Sequence, residues 1–130
     1  MLLQKFFSTA RKLQSHVREI KKSHVRSSLW PMVRDMHLKE NPVCEACGSN
    51  KTLQVHHVLP FHLEPKLELE PENLVTLCMD EFDCHLSIGH GGSFQHYNPN
   101  VIEDCKKFML AKINERSDIL TTIKQNRLKD

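Results

Sequence analysis

The chain has 130 residues, 39% of them hydrophobic, and a formal net charge of +2. No apolar run approaches the ~20 residues a bilayer-spanning helix needs, which excludes a helical membrane protein and leaves about one domain with a modest core. The small net charge conceals three blocks: residues 1–39 carry nine Lys or Arg against two acids, 40–104 two against eleven, and 105–130 seven against three. A basic start and a basic tail around an acidic centre suggest arms that meet a polyanion, although the same charges also suit the solvated faces of helices.

Leu2, Leu3, Phe6, Ala10, Leu13, Val17 and Ile20 recur at steps of three and four, so a helix is expected over about residues 2–24. The acid-free first 18 residues also have the composition of a mitochondrial transit peptide, but the apolar stripe runs on past Glu19. A second helix is expected from near Ser28, with Pro31 tolerated in its first turn and Asn41-Pro42 ending it. Cys44-Glu-Ala-Cys47-Gly48 has the form of a zinc knuckle. Strands are expected over Thr52–Val58 and Leu74–Leu77, with a surface loop rich in proline and glutamate between them. A short helical turn after Cys84 stops at Gly89. Asn100 and Glu103 then cap one long final helix with Ile102, Cys105, Met109, Ile113, Leu120 and Ile123 on its apolar side. The pattern is α+β, with residues 1–43 as a basic helical arm, 44–92 as a zinc-stapled core, and 93–130 as a loop and C-terminal helix.

Five cysteines without a secretory signal read as reduced thiols, as in a cytoplasmic protein. Cys44, Cys47, Cys78 and Cys84 supply a complete tetrahedral zinc set, while Cys105 falls on an apolar helix side as a small buried hydrophobe. The five-residue gap between Cys78 and Cys84 means either that 79–83 is a small insertion or that a nearby histidine replaces one cysteine. Adjacent strand residues point to opposite faces, so His56 and His57 are expected to have different partners unless the strand ends or bends there. His16, His24, His37 and His62 read as surface, helix-end or loop residues, and His96 beside Tyr97 as a substrate contact. Trp30 reads as a core residue anchoring the second helix on the zinc module.

The order Cys-x-x-Cys, His56-His57, Asn73-Leu-Val-x-Leu-Cys and Cys84-His85 resembles the HNH endonucleases and their ββα-metal fold, over residues 44 to about 90. The resemblance implies that His56 and His85 bind a catalytic divalent ion, Mg²⁺ or Mn²⁺ with Ni²⁺ or Zn²⁺ as alternatives, beside a structural Zn²⁺. It implies His57 as general base and Asn73 as the brace of the base's loop, with a 5′-phosphate and a 3′-hydroxyl as products. His90 lies five residues after His85 and joins the metal set only if a turn brings it back. The implied partner is double-stranded DNA, gripped by Arg11, Lys12, Arg18, Lys22 and Arg26 of the arm. Small free-standing proteins of this type resemble nucleases of bacteria and phages, some encoded near packaging genes, which adds phage packaging proteins as partners and a bacterial host cytoplasm as location. A monomer is favoured over a homodimer, because a small domain has few other ways to bury its helical stripes. The competing reading is a non-catalytic zinc-stapled DNA-binding or scaffolding module, for which the cysteines alone suffice. A secreted nuclease toxin is disfavoured by the reduced thiols.

Overall fold

Two short segments rich in β-formers, Leu53–His57 (β1) and Leu74–Cys78 (β2), pair as an antiparallel ribbon on which the other elements are laid. The computed structural model describes Gln4, residues 8–11 and residues 25–130. The register sets His56 opposite Val75 and His57 opposite Leu74. Because side chains alternate along a strand, the two faces of the ribbon meet different cores. Ala10, Val33, Val55, Leu69 and Leu74 fill one. The other gathers the buried cysteines with Val75, Leu77, Ile88, Phe108 and Ile123.

The first core is covered by a helix over Trp30–Glu40 (α1), with Pro31 in its first turn and its end at Asn41. The backbone and the side chain of Asn41 both donate to the carbonyl of His37, closing the last turn. Residues 8–11 are helical and bring Ala10 into the same core. The remainder of the helix expected over 2–24 lies outside the described residues.

The segment between the strands is not the surface loop expected. It forms two 3₁₀ turns, Pro65–Leu67 and Pro71–Asn73, each opened by a proline whose fixed φ suits a first helical position. Between them Glu68 and Leu69 are buried, because Leu69 joins the first core and the Glu68 carboxylate accepts a hydrogen bond from Ser27 N at 3.1 Å.

After Cys84 a single π-helical turn, His85–Gly89, leads to a two-residue strand, His96–Tyr97 (β3). The final helix is also broken, into Val101–Leu110 (α2) and Arg116–Asn126 (α3), by an extended backbone at Ala111 and Lys112. Its buried positions are Val101, Cys105, Phe108 and Ile123, whereas Ile102, Met109 and Ile113 face solvent. Asn100 makes no side-chain cap; Asn98 receives the Asn100 N–H and binds Asp104 Oδ2 instead. Leu128–Lys129 (β4) then returns to pair with β3, a second small sheet that the sequence pattern gives no sign of. The fold is α+β, and among the described residues no helix is long and apolar enough to cross a membrane.

Candidate metal centres and active site

The cysteine pairs meet at the end of the ribbon. Gly48, at φ 77°, takes the left-handed turn that lets its N–H reach the Cys44 carbonyl at 2.9 Å, which closes the knuckle. The 79–83 stretch turns back sharply, with Asp83 N donating to the Asp80 carbonyl, and returns Cys84 to Cys44 and Cys47. The four sulfurs lie within 4.8 Å of one another, with Cys47 and Cys78 at 3.5 Å, and none forms a disulfide. No histidine belongs to this group, so the wide gap is spanned by an insertion in the turn.

Buried thiols crowded in this way cannot all ionise unaided. A hydrogen bond from Cys84, with backbone amides, draws Cys44 down to about 4, burial pushes Cys47 up to about 11, and Cys84 is pushed up by its bond to Cys44 and by burial. A cation at the centre would supply the missing charge, and four thiolates suit zinc. The cluster could hold a zinc ion. Cys105 stays apart, buried at 2% exposure in the same core, and burial pushes its thiol up.

His56, His85 and His90 form a second group, each offering a ring nitrogen within 4.8 Å of the others. The π turn explains the spacing. His90 N donates to the His85 carbonyl, an i to i+5 bond, so residues five apart come to the same side where an α-helix would set residues four apart together. Gly89 completes the approach: a Cβ there would stand 3.1 Å from the His56 ring and 3.0 Å from Leu77. His90 Nδ1 lies 2.8 Å from the His96 carbonyl, which holds the proton on that nitrogen and leaves Nε2 as the ligand atom. His56 Nε2 and His85 Nδ1 are buried with no hydrogen-bond partner among the described residues, as expected of nitrogens that a metal takes. Burial holds the pKa of His56 well below the ordinary imidazole value and brings that of His85 down to about 4, so both rings are neutral and able to ligate.

His57, the last residue of β1, meets different partners from His56. Its Nε2 lies 2.9 Å from the Glu68 carbonyl, and Trp30 packs on the ring with centroids 4.5 Å apart. A neutral imidazole that donates from Nε2 keeps its lone pair on Nδ1. Burial lowers the pKa to about 4, with Arg26 pushing the same way, so the ring is unprotonated at neutral pH. All four histidines open onto one cleft of about 330 Å³, with Arg26 and Phe61 on its wall.

Asn73 ties both ends of the segment that carries the Glu68 carbonyl. Its Oδ1 accepts from Leu59 N at 2.8 Å, and its Nδ2 donates to the carbonyls of Leu59 and Leu67, each at 3.1 Å. Asn73→Ala is expected to lower stability by about 1–3 kcal/mol, the cost of leaving buried partners unsatisfied. Urea melts of the two proteins, with zinc assayed in each, would reveal the loss without a change in metal content.

Residues 44–91 match the family model described as HNH endonuclease. The HNH match takes in both ligand groups, His57 and Asn73, and ends just past His90. No curated protein and no solved structure matches the chain.

Outside the HNH segment the expected arm contacts divide. Lys12, Arg18 and Lys22 lie outside the described residues, as do His16 and His24. Arg11 is paired with Glu70 at 2.7 Å, while Arg26 reaches the cleft. His37 is buried within α1, and His62 lines the cleft, where it pairs with Asp130. Trp30 lies against His57 and not on the cysteine module. Glu68 and Asn98 escape a reading of the sequence, since neither belongs to a periodic pattern. Asn98 is 1% exposed and joins the Ile88 carbonyl to Asp104 of α2, which fixes the π turn against that helix.

Proposed function

We propose that this protein is a metal-dependent endonuclease that hydrolyses DNA phosphodiester bonds. The observation that carries the reading is the convergence of ring nitrogens from His56, His85 and His90 within 4.8 Å of one another, those of His56 and His85 buried and unpartnered among the described residues, on the cleft that His57 also lines. His56, His85 and His90 would hold a divalent ion, and Cys44, Cys47, Cys78 and Cys84 a structural zinc. When bound, the divalent ion supplies Lewis-acid stabilisation of charge on the phosphate and on the departing oxygen. His57 accepts the proton of the attacking water at Nδ1 as the new P–O bond forms, and the Glu68 carbonyl stabilises the resulting imidazolium through Nε2. The bond from phosphorus to the 3′ oxygen breaks, that oxygen takes a proton from solvent, and the 5′-phosphate remains on the other fragment. Asn73 serves by keeping the Glu68 carbonyl in place.

Three imidazoles make a nitrogen-only set, which suits Mn²⁺, Ni²⁺ or Zn²⁺ better than Mg²⁺ with its preference for oxygen. Supercoiled plasmid incubated separately with Mg²⁺, Mn²⁺, Ni²⁺ and Zn²⁺ is expected to yield nicked circles, with Mg²⁺ the least effective. DNA binding without cleavage in any of the four would instead assign a zinc-stapled binding module.

A further inference from the structure

Glu68 is completely buried, and a carboxylate withdrawn from water is strongly unfavourable unless paired and hydrogen-bonded. Among the described residues both carboxylate oxygens and the backbone carbonyl make contacts that bear on the site. Oε2 accepts from Ser27 N at 3.1 Å, Oε1 lies 3.7 Å from Arg26 Nη1, and its carbonyl oxygen lies 2.9 Å from His57 Nε2. One residue therefore fixes the imidazole proposed as base with its backbone and the turn carrying Arg26 with its side chain. Two aromatic rings restrain the same guanidinium, Trp30 at 5.3 Å and Phe61 at 5.1 Å. The Arg26 side chain is still 47% exposed and lines the cleft, so a guanidinium held on three sides faces the space in front of the histidines.

A planar fork of N–H donors, pre-positioned at little further entropic cost, suits a phosphate oxygen better than a mobile lysine does. We propose that Arg26 contacts the substrate phosphate within the cleft and that Glu68 is the positioning residue that holds it beside His57. The inference rests on the hydrolytic reading for its substrate, but the phosphate contact itself requires no turnover. It separates Arg26 from a general grip on the DNA backbone: its effect falls on the phosphate at the reacting centre.

Trp30, the chain's only tryptophan, touches both Arg26 and His57 and so provides a local probe. Titrating the full chain with a short duplex oligonucleotide, without added divalent ion, is expected to give a saturable change in its fluorescence, checked by anisotropy of a labelled duplex. Arg26→Ala should weaken that binding by about 10- to 100-fold, the range for losing a charged hydrogen bond, and Arg26→Lys should recover part of it. Glu68→Gln keeps an acceptor for Ser27 N but removes the charge that orients Arg26. It should leave affinity unchanged or tighter while the nicking rate falls, a split that simple destabilisation would not produce. Zinc content and near-ultraviolet dichroism would establish folding, and Arg26→Ala, at a half-exposed position, carries the test if Glu68→Gln fails to fold. Arg26→Ala with wild-type affinity and wild-type nicking would overturn the phosphate contact and leave the hydrolytic reading standing. Arg26-dependent binding in a wild-type protein that nicks nothing would do the reverse. Glu68→Gln with an unchanged nicking rate would remove Glu68 from the positioning role.

Discussion

His57→Ala is expected to lower the rate of plasmid nicking by about 10²- to 10⁴-fold, the usual contribution of a general base, while zinc content and secondary structure stay as they are. The expectation follows from where the ring stands. It is not a member of either ligand group, its Nε2 is engaged by the Glu68 carbonyl, and its environment keeps it neutral. Removing it therefore subtracts a proton acceptor and a packing surface for Trp30 without releasing a metal. His57→Gln separates those two losses. A glutamine amide can still donate toward the Glu68 carbonyl and fill part of the space beside Trp30, but it cannot take a proton from water. The two variants should thus be equally slow, and any restoration of packing in the glutamine protein should appear only in its thermal midpoint. Nicking that survived both substitutions at close to the wild-type rate would take His57 out of the chemistry.

How much of this site could be read from the chain depended on whether a contact is local. The Cys44 knuckle, the alternation that separates His56 from His57 and the Pro31 helix start are rules acting over a few residues, and each has its counterpart in the structure. His90 shows where local reading stops. Its five-residue offset from His85 is awkward on an α-helix and natural on a π turn, and a π turn has no periodic signature in five residues. Glu68 fails for a different reason. A glutamate in a run of proline and acid reads as solvated, and only the arrival of Ser27 and Arg26 from forty residues away makes its burial tolerable. The broken final helix is a third case. Cys105 and Ile123 of the expected stripe are buried, but Phe108 takes the core position in place of its neighbour Met109, and the extended backbone at Ala111 and Lys112 leaves Ile113 in solvent.

These long-range contacts also explain how two groups of candidate ligands coexist in so short a segment without merging. The ribbon carries His56 and Cys78 at positions that cannot reach each other, since His56 pairs with Val75 and Cys78 with Leu53 at the far end. The π turn begins directly after Cys84, so one backbone step passes from a sulfur of the first group to a nitrogen of the second. Soft sulfur on one side and imidazole on the other would favour different ions. The cysteine group is thus placed to position the histidine group, and its loss should be felt in both.

That dependence sets the second large effect. Cys44→Ser is expected to abolish zinc binding and to unfold most of the chain at ambient temperature. Structural zinc sites contribute about 10–16 kcal/mol in small domains, which equals or exceeds the ~5–15 kcal/mol that holds a typical domain together. Here the sulfurs are also part of the core itself: Cys44, Cys78 and Cys84 are fully buried and packed with Leu77, Ile88 and Phe108. An empty site would leave a crowded set of thiols at the point where the ribbon, the π turn and α2 meet. Strong chelators should act in the same direction, as should acid, because protons compete with the metal for thiolate. His90→Ala provides the contrast, since it removes a ligand from the histidine group alone and should keep one zinc and a cooperative melt. Cys105→Ala provides another, since that thiol is buried in the same core but stands outside the group of four. Zinc measured by mass spectrometry, beside thermal melts of the three variants, would test the division. A Cys44→Ser protein that melted like the wild type, or a Cys105→Ala protein that lost its zinc, would mean that the four sulfurs do not form the staple.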